Sequence, residues 1–576
     1  MTYICGLNSA YHESSVCLIK DGQIIAIAEE ERFNRKKHAK PARVDNPDEL
    51  PLEALNYCLK KAGITFDEVD YVGYSLNPKV RLNRNIQHQH PYEVTPGDFG
   101  SKEGEELFYQ KNIEVEQKVK ELGFNGRFFY LNHHDCHAAS SYFVSAFNKA
   151  AVLVVDGIGE FESTTLYEGK GNRLKKIQSI DFPHSLGFLW EKISKYLGFS
   201  EYDAYKVMGL ASYGNPDTYR AKFKDLVIIN NDGTFTIDDK IIQFRNENYS
   251  GLESLFGLEK RSEPIQKVGK INQKYTDLAA ALQEVTEDVV VKLARTLKDK
   301  TLAKNLCLSG GVALNCVANS KLLEERIFND VFVQPAANDA GTAIGAAFYI
   351  WNQILDKPRS YVFDNASLSA EFSEEEIKEA LDRNGLNYQV IDNTEKKGAK
   401  LIADGNIVAW FQGAMEIGPR ALGNRSILCD PRKKDAVTLL NHKVKHREPF
   451  RPFCPSVLID KTSDWFDVRG KLPSLAKYML TAFNVLDYRR GIIPAVTHID
   501  GTARIQAVEK ESNPRYYQLI EEFERLTDVP IVLNTSLNDQ EPIVCSPQDA
   551  VNTFLKTKID YLVIGNFLVS RGEQNE

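Results

Sequence analysis

Two stretches of the chain follow the same order of an apolar strand, a polar loop and a β-hairpin. The first has an apolar strand at residues 3–7 and then SSVCLIKDGQIIAIAEE, which turns at Asp21 and Gly22. An Asp-Gly pair between two β-rich runs is a strong hairpin signal. The second reads AAVLVVDGIGEFESTTLYEGKGNRLKKIQS. The loose alignment of the two, from Glu13 and from Glu162, predicts an internal duplication. The alternative, that any two hairpins look alike, stays open at this point.

Two such halves facing one cleft are the plan of the actin/hexokinase-like nucleotide-binding fold. Further along, residues 277–296 have helical periodicity, and NLCLSGGVALN reads as a strand, a glycine turn and the start of a helix. The pattern breaks in DKPRSYVFDNA, which predicts a linker at 356–366. A helix in FSEEEIKEALDRNG then opens a segment of alternating strands and helices. We therefore expect an α/β protein with two domains, residues 1–355 and 366–576.

The composition and net charge of the chain indicate its cellular compartment and the classes of partner that are expected. A net charge of −8 and a pI near 5.9 provide no positive field to attract phosphate backbones, so no nucleic-acid partner is expected. The nine cysteines are dispersed without a CxxC pair, as is typical of reduced, buried thiols. The N-terminus MTYICGLNSAYHE lacks a signal-peptide pattern, and no apolar run approaches the roughly 18 residues of a membrane span. These features predict a cytoplasmic protein without a membrane partner, and they leave a homo-oligomer open.

Four polar residues in apolar surroundings form a candidate metal site. His133 and His137 in YLNHHDCHAAS are four residues apart, which places both imidazoles on one face of a helix. Core or capping histidines are the alternative. Asp156 ends an apolar strand, where a carboxylate is costly unless it projects into a site. Asp339, in NDAG, is either a further ligand or a helix cap. Two imidazoles and two carboxylates suit iron, manganese or zinc better than calcium.

Glycine turns in the first domain suggest contacts with phosphate. LSGGVALN places two glycines between an apolar strand and a helix, where backbone N–H groups can approach a phosphate or acyl phosphate. A tight strand-to-helix turn is the alternative. YKVMGLASYG combines Lys206 with glycine turns and is expected to line the same cleft.

The second domain contains cations set among glycines, prolines and aromatic residues. Arginines held by neighbouring prolines suit bidentate phosphate contacts, whereas a solvated face is the alternative. The polar residues of these segments are Arg420, Arg425, Lys443, Lys445, Arg447, Arg451, Arg504, Asn534 and Ser536.

These motifs together resemble the NodU/CmcH-type carbamoyltransferase family. The resemblance covers nearly the whole chain and is carried by segments too long to match by chance. They are GLNSAYHESSVCLIKDG, EEERFNRKKH, HHDCHAAS, VVDGIGE, KVMGLASYG, SGGVALN, NDAGTAIGAA, EIGPRALGNRSIL, REPFRPF and HIDGTARIQ. The chain departs from the family's pattern in DQEPIV after NTSLN and in the loop EYDAYK. Both departures bear on loop shape and acceptor choice.

The resemblance implies a duplicated actin-like (ASKHA) N-terminal domain and a YrdC-like α/β C-terminal domain. The C-terminal domain would use ATP and carbamoyl phosphate to form carbamoyl-adenylate, with Mg²⁺ as a further metal. The N-terminal domain would pass the carbamoyl group to a hydroxyl of a small natural product, as in antibiotic or secondary-metabolite biosynthesis. Iron, or another divalent metal, would be bound by His133, His137, Asp156 and Asp339. The adenylate would be formed at Arg420, Lys445, Arg451, Arg504, Asn534 and Ser536, and held for transfer by Lys37, Gly311 and Asn315.

Three residues are expected to act in the transfer step. His12, in SAYHESS, is the candidate base for the acceptor proton, although an ordinary loop histidine is the alternative. Lys37, in the basic stretch RFNRKKHAKPAR, would reach into the cleft from its lip, although a solvated loop is the alternative. Asp156 would contribute to catalysis as a metal ligand.

Three other functions remain open from the sequence. One is an actin-like enzyme that modifies tRNA in a threonylcarbamoyl-type reaction, which the acidic pI disfavours. Another is a non-catalytic regulator that binds a metal and a nucleotide, which the intact set of metal and cationic residues disfavours. The third is a sugar-kinase-like phosphotransferase, for which the sequence lacks a clear adenosine motif.

Overall fold

A computed structural model describes residues 1–573 and divides the chain into two compact units, Met1–Phe363 and Asp364–Glu576. The division lies inside the segment that the sequence predicts as a linker. The final residues of the second predicted domain, 574–576, lie outside the described residues.

The N-terminal unit is a mixture of strands and helices. Its strands are β1 Tyr3–Asn8, β2 Ser15–Lys20, β3 Gln23–Glu29, β4 Tyr71–Tyr74, β5 Arg127–Tyr130, β6 Lys149–Val155, β7 Glu162–Lys170, β8 Arg173–Asp181, β9 Val227–Ile229, β10 Phe235–Ile237, β11 Asn305–Ser309 and β12 Asp330–Val333. Its helices are α1 Glu30–Asn34, α2 Leu52–Ala62, α3 Pro78–Asn85, α4 Lys102–Glu121, α5 His133–Tyr142, α6 Leu186–Tyr196, α7 Ala204–Ala211, α8 Arg220–Leu226, α9 Asp239–Ile242, α10 Ser250–Phe256, α11 Gln273–Thr301, α12 Cys316–Glu324 and α13 Thr342–Phe348.

Two five-stranded sheets of this unit have the same topology. Their strand orders are β3-β2-β1-β4-β5 and β8-β7-β6-β11-β12. In each sheet the first three strands in the chain pair antiparallel, and the last two add in parallel. The predicted turn of the first hairpin forms as expected, with positive φ at both Asp21 and Gly22. The prediction of a duplicated actin-like α/β domain is confirmed.

Glycines and alanines allow α13 to approach its neighbours closely. A Cβ on Gly6 in β1 would lie 1.8 Å from the carbonyl oxygen of Ala343 in α13. A Cβ on Gly345 in α13 would lie 1.7 Å from the carbonyl oxygen of Cys136 in α5. Such contacts are accessible only to glycine, so the small-residue helix packs on both β1 and α5. This packing places the start of α13 beside the histidines of α5.

The C-terminal unit is built around an eight-stranded mixed sheet of order β13-β22-β21-β14-β15-β20-β16-β19. A separate two-stranded sheet pairs β17 with β18. The strands of the unit are β13 Gln389–Val390, β14 Val408–Phe411, β15 Arg425–Cys429, β16 Cys454–Leu458, β17 Ala482–Asn484, β18 Thr502–Arg504, β19 Gln506–Val508, β20 Ile531–Ser536, β21 Tyr561–Ile564 and β22 Phe567–Ser570. Its helices are α14 Glu374–Arg383, α15 Thr394–Ala403, α16 Ala436–Lys443, α17 Asp487–Arg490, α18 Pro514–Thr527 and α19 Pro547–Lys556. The α/β class is confirmed, whereas the closer likeness to YrdC-type domains stays a prediction.

Arg425 has a structural role, so its interpretation as a phosphate-binding residue is wrong. The side chain is completely buried, and its guanidinium lies 3.6 Å from the centre of the Phe411 ring. Its N–H groups donate to five backbone carbonyl oxygens, those of Ala370, Gln412, Gly413, Asn424 and Cys545. A guanidinium surrounded by carbonyl groups satisfies the backbone and is not available to a ligand.

Replacement of Arg425 by methionine should destabilise the C-terminal unit by about 3–4 kcal/mol, because it leaves several buried carbonyl groups without donors. Thermal and urea unfolding of the full chain would measure this loss. The matched control is Arg469→Met, since Arg469 is exposed and its ion pair with Asp467 lies at the surface. A variant of wild-type stability with weakened ATP binding would contradict the structural role.

Cysteine usage agrees with the sequence prediction, because all nine cysteines are buried and free.

Within residues 1–573, no helix combines the length and the apolar character that crossing a membrane requires.

Candidate metal centre and polar cluster of the C-terminal unit

Four side chains from three separate segments converge in the N-terminal unit. His133 is the first residue of α5 and His137 lies one turn later, so both imidazoles face the same way, as the spacing predicts. Asp156 follows the last residue of β6, and Asp339 lies in the short 3₁₀ turn that leads into α13. All four are at least nine-tenths buried. Asp339 therefore belongs to this cluster, and α13 begins three residues after it.

The distances within the cluster fit a shared metal ion better than direct hydrogen bonds. The Nε2 atoms of His133 and His137 each lie 3.6 Å from Asp156 Oδ2 and 3.5 Å from Asp339 Oδ1. Among the described residues, neither Nε2 atom has a hydrogen-bond partner. Ligands about 2.1 Å from one ion at tetrahedral angles are about 3.4 Å apart, which is close to the spacing seen here. The four residues thus have the donor types and the geometry of a divalent metal site.

Neighbouring groups fix the orientation of these ligands. His133 Nδ1 lies 2.9 Å from the carbonyl oxygen of Ser75 and donates to it, which leaves the Nε2 lone pair facing the cluster. The backbone N–H of Gly311 donates to Asp156 Oδ1 at 2.9 Å, so the other carboxylate oxygen is the one that faces the histidines. Glu160 accepts the backbone N–H of His133 at 2.9 Å, at the N-terminus of α5. The ligands are therefore held in place by contacts of their own.

The pKa values of the two histidines show that the carboxylates of the cluster attract positive charge. Burial opposes protonation of His133, but the facing carboxylates of Asp339 and Asp156 outweigh burial and raise its pKa well above the usual range. The same carboxylates raise the pKa of His137 against the effect of burial. A bound divalent cation would supply the charge that these protons supply otherwise.

His12 lies beside the metal cluster. Burial raises the pKa of Asp339, but the charge of His133 and next that of His12 outweigh burial and lower this pKa. The His12 ring makes edge-to-face contacts with Tyr202 and His38, whose rings stack on each other at a centroid distance of 4.5 Å. Glu13 accepts from His38 Nδ1 at 3.3 Å. The sequence indicated His12 but missed this arrangement, because Tyr202 belongs to a distant loop.

The other residues predicted for the transfer site have different surroundings. Lys37 is exposed on the loop after α1, so the structure does not bring it into the buried cluster. Gly311 is close to the cluster and contributes its N–H to Asp156, as described above. Asn315 caps α12 by accepting from Val317 and Ala318, and its amide donates to Gln283. Their predicted contacts with an adenylate stay predictions.

Glu191 is a residue near the cluster that the sequence did not indicate. Burial raises the pKa of its carboxyl group to about 8. A Cβ on Gly157, the residue after the ligand Asp156, would lie 3.8 Å from Glu191 Oε1. Glu191 therefore lies near Asp156, a position that its place in an ordinary amphipathic helix does not reveal in the sequence.

In the C-terminal unit, the side chain of Lys445 forms hydrogen bonds with residues at the end of β20 and just after it. Its ammonium group is almost fully buried and donates to Ser536 and to both oxygens of Asn538, at 2.9 Å for the carbonyl and 2.7 Å for Oδ1. A buried ammonium needs such oxygen partners, and a phosphate oxygen is a stronger partner of the same kind.

The neighbouring strands add further polar groups. Asn534 in β20 donates to Ser456 Oγ, to Gln506 Oε1 and to the carbonyl oxygen of Ala421. Its partner in the register of β16 is Cys454, whose sulfur accepts two N–H groups of Arg504 at 3.0 and 3.1 Å.

The structure therefore brings together four of the six residues predicted for adenylate formation, namely Lys445, Arg504, Asn534 and Ser536. Arg420 directly precedes Ala421, the residue that holds Asn534. Arg451 pairs with Glu448 at 3.7 Å. Gln506 and Ser456 are members that sequence reasoning missed, because they have no motif of their own.

Comparison with known proteins decides the family. The model of the family's N-terminal domain, "Carbamoyltransferase N-terminus", matches residues 3–348, and that of its C-terminal domain, "Carbamoyltransferase C-terminus", matches residues 399–571. The chain belongs to the carbamoyltransferase family. Membership confirms the resemblance seen in the sequence and makes the protein a carbamoyl-transfer enzyme.

Individual relatives of this carbamoyltransferase cover almost all of it. An uncharacterized protein of Synechocystis is 39% identical, over 100% of this chain and 97% of its own. Nodulation protein NolNO of Sinorhizobium fredii is 37% identical, over 98% of this chain and 80% of its own. Among solved structures, full-length HypF aligns at 15% identity with a TM-score of 0.35, over 62% of this chain and 56% of that chain, which is too distant to support an argument.

Proposed function

We propose that this carbamoyltransferase is an ATP-dependent O-carbamoyltransferase that acts on a hydroxyl group of a small natural product. The observation that carries the proposal is the convergence of His133, His137, Asp156 and Asp339, buried and correctly spaced for one divalent ion, in a member of this family. Iron is the metal that the family resemblance favours, and the donor set suits it.

The C-terminal unit would activate the carbamoyl group. Carbamoyl phosphate and water give carbamate and phosphate, and carbamate then attacks the α-phosphorus of ATP to give carbamoyl-adenylate and pyrophosphate. Two anions must approach each other in the second reaction, so fixed cations are needed to offset their repulsion. Lys445 and Arg504 supply such charge beside Asn534 and Ser536, and Mg²⁺ bound to the nucleotide would add to it.

The N-terminal unit would perform the transfer. The acceptor oxygen attacks the carbamoyl carbon, the bond to the AMP oxygen breaks, and the products are the O-carbamoyl acceptor and AMP. A metal held by the four ligands supplies Lewis acidity for the charge that develops on oxygen. His12 would take the acceptor proton, and its electrostatic effect on Asp339 supports a position near the cluster.

Replacement of His12 by glutamine should slow transfer about a hundredfold, the usual contribution of a positioned base, while adenylate formation continues at the normal rate. The measurement compares product formation with isotope exchange between pyrophosphate and ATP. The matched control is His38→Gln, which alters the neighbouring ring while leaving His12 present. Equal loss of both reactions in His12→Gln would contradict a role confined to transfer.

Product analysis tests the function as a whole. Purified protein would be incubated with ATP, carbamoyl phosphate and a panel of hydroxylated natural products, and the acceptors examined by mass spectrometry for the addition of one carbamoyl group. The expected result is a product that needs both co-substrates, together with pyrophosphate–ATP exchange that depends on carbamoyl phosphate. Carbamoylation without ATP, or modification of tRNA in place of small hydroxylated acceptors, would overturn the proposal.

A further inference from the structure

A second group of potential metal ligands lies in the N-terminal unit and plays no part in the proposed reaction. It consists of His88 and His90, in the irregular segment between α3 and α4, and Asp239, the first residue of α9. One ligand atom from each residue lies within 4.8 Å of the other two. We propose that these three residues form a second binding site for a divalent transition metal, with zinc as the representative ion.

The two histidines reach one site because of the local chain conformation. Residues 87–90 alternate in exposure, with Gln87 and Gln89 in solvent and His88 and His90 partly buried. Side chains two residues apart in an extended segment lie on the same side. The rings of His88 and His90 are 4.7 Å apart and nearly perpendicular, and both make edge-to-face contacts with Phe182, at centroid distances of 5.4 and 5.8 Å.

Each of the three residues has a buried ligand atom without a partner. Among the described residues, no hydrogen-bond partner reaches His88 Nε2, His90 Nδ1 or Asp239 Oδ2. Buried polar atoms are normally satisfied, so each of these three neighbouring residues has an atom available to bind an ion. Asp239 is 6% exposed, so water does not readily compensate its second oxygen.

Surrounding contacts keep the ligands oriented. Asp239 Oδ1 accepts from the Tyr92 hydroxyl at 3.1 Å and from the Phe244 N–H at 3.2 Å, which leaves Oδ2 for an ion. His90 Nε2 faces Gly100 closely, since a Cβ there would lie 2.8 Å from it, so Nδ1 is the nitrogen on the other side of the ring. These contacts resemble the outer shell that fixes ligands at known metal sites.

The electrostatic surroundings include the opposing charge of Arg245 and a smaller contribution from His184. Burial, followed by the charge of Arg245, lowers the pKa of His88, and burial is again the largest cause at His90, whose pKa is about 4. Both shifts favour the neutral imidazole, which is the form that binds metals. Arg245 also repels a cation, although its guanidinium is held 5.0 and 4.9 Å from the ring centres of Phe182 and Phe188. We therefore expect Arg245→Met to tighten metal binding.

The donor set selects the class of ion. Two imidazoles and one carboxylate with remaining open positions are typical of zinc and of ferrous iron, and unlike the all-oxygen sites of calcium and magnesium. Three ligands about 2.1 Å from one ion lie at most about 3.6 Å from one another, so side chains whose ligand atoms lie within 4.8 Å would close by up to about 1 Å on binding. A bound ion would connect the segment before α4 to α9, two regions far apart in the chain.

Metal stoichiometry tests the proposal. Full-length protein would be stripped with a chelator, reloaded with Zn²⁺, desalted and analysed for metal per chain. We expect two equivalents in the wild type and one each in Asp239→Asn and His90→Ala. Asp239→Asn keeps an oxygen for Tyr92 and Phe244, so it removes the ligand charge with the least disturbance of the fold.

The controls separate this site from the centre of the proposed reaction. His442→Ala, an exposed histidine in the C-terminal unit, should keep two equivalents. His137→Ala should keep one, and the combination of His137→Ala with Asp239→Asn should keep none. The second site is overturned if Asp239→Asn and His90→Ala retain the wild-type stoichiometry, or if the wild type binds a single equivalent that His137→Ala removes. Neither result depends on carbamoyl transfer, so the two proposals fail separately.

Discussion

Replacement of His137 by alanine should abolish metal binding at the centre formed with His133, Asp156 and Asp339 and reduce carbamoyl transfer about a thousandfold. The Nε2 atom of His137 lies 3.6 and 3.5 Å from the two carboxylate oxygens that face it, and alanine has no donor atom in that position. Loss of a Lewis acid removes several kcal/mol of stabilisation of the developing charge, and about 4 kcal/mol corresponds to a factor of about a thousand. Transfer assays and metal analysis of the same preparations would measure both effects.

The controls use the assignment of adenylate formation to the C-terminal unit and of transfer to the N-terminal unit. Pyrophosphate–ATP exchange should continue in His137→Ala, because that reaction is assigned to the C-terminal unit. His134→Gln is the matched variant on α5, since the His134 ring points away from the ligands and its Nδ1 pairs with Thr165 at 2.7 Å. It should retain the metal and most of the transfer activity. If His137→Ala transfers carbamoyl groups at the wild-type rate, the centre has no part in the reaction.

Replacement of Lys445 by methionine should reduce pyrophosphate–ATP exchange by about a hundredfold to a thousandfold, the range measured when one preorganised donor to a developing charge is removed. Lys445 is almost fully buried, and its ammonium group is fixed by oxygens of Ser536 and Asn538. Its charge is therefore already in position and needs no reorganisation when the two anions meet. Methionine has a similar length and fills the same space without the charge.

Lys443 provides the control for this experiment, because it lies two residues earlier and is exposed. Lys443→Met should leave exchange within about twofold of the wild type, as expected for a solvated charge. Thermal unfolding of both variants would show that the C-terminal unit remains folded. A folded Lys445→Met variant with normal exchange would remove Lys445 from the adenylate site and would favour a role in stability alone.

Local sequence determined the secondary structure around the metal centre. The spacing of His133 and His137 predicted two imidazoles on one helical face, because a helix turns once in 3.6 residues wherever it lies in a protein. The Asp21–Gly22 turn predicted the first hairpin for a similar reason, since both residues tolerate positive φ. The duplication followed from two such hairpins in one chain. Each of these inferences depends on contacts within a few residues.

Only the tertiary structure decided which distant groups meet. Asp156 and Asp339 could each have been a strand end or a cap, and they face the two histidines because the packing of α13 on β1 and α5 brings their segments together. Arg425 and Lys445 are both cations among glycines and prolines in the sequence. The guanidinium of Arg425 donates to backbone carbonyl groups, whereas the ammonium of Lys445 also reaches the side-chain oxygens of Ser536 and Asn538 at the end of β20 and just after it.

The group formed by His88, His90 and Asp239 also shows that the sequence does not reveal which distant residues meet. The two histidines of HQH do not form a complete ligand set by themselves, and Asp239 starts a helix of four residues far along the chain. Sequence alone determined the residue types and the local periodicity. The fold decided their partners, because the free energy of a buried charge depends on groups that are distant in sequence.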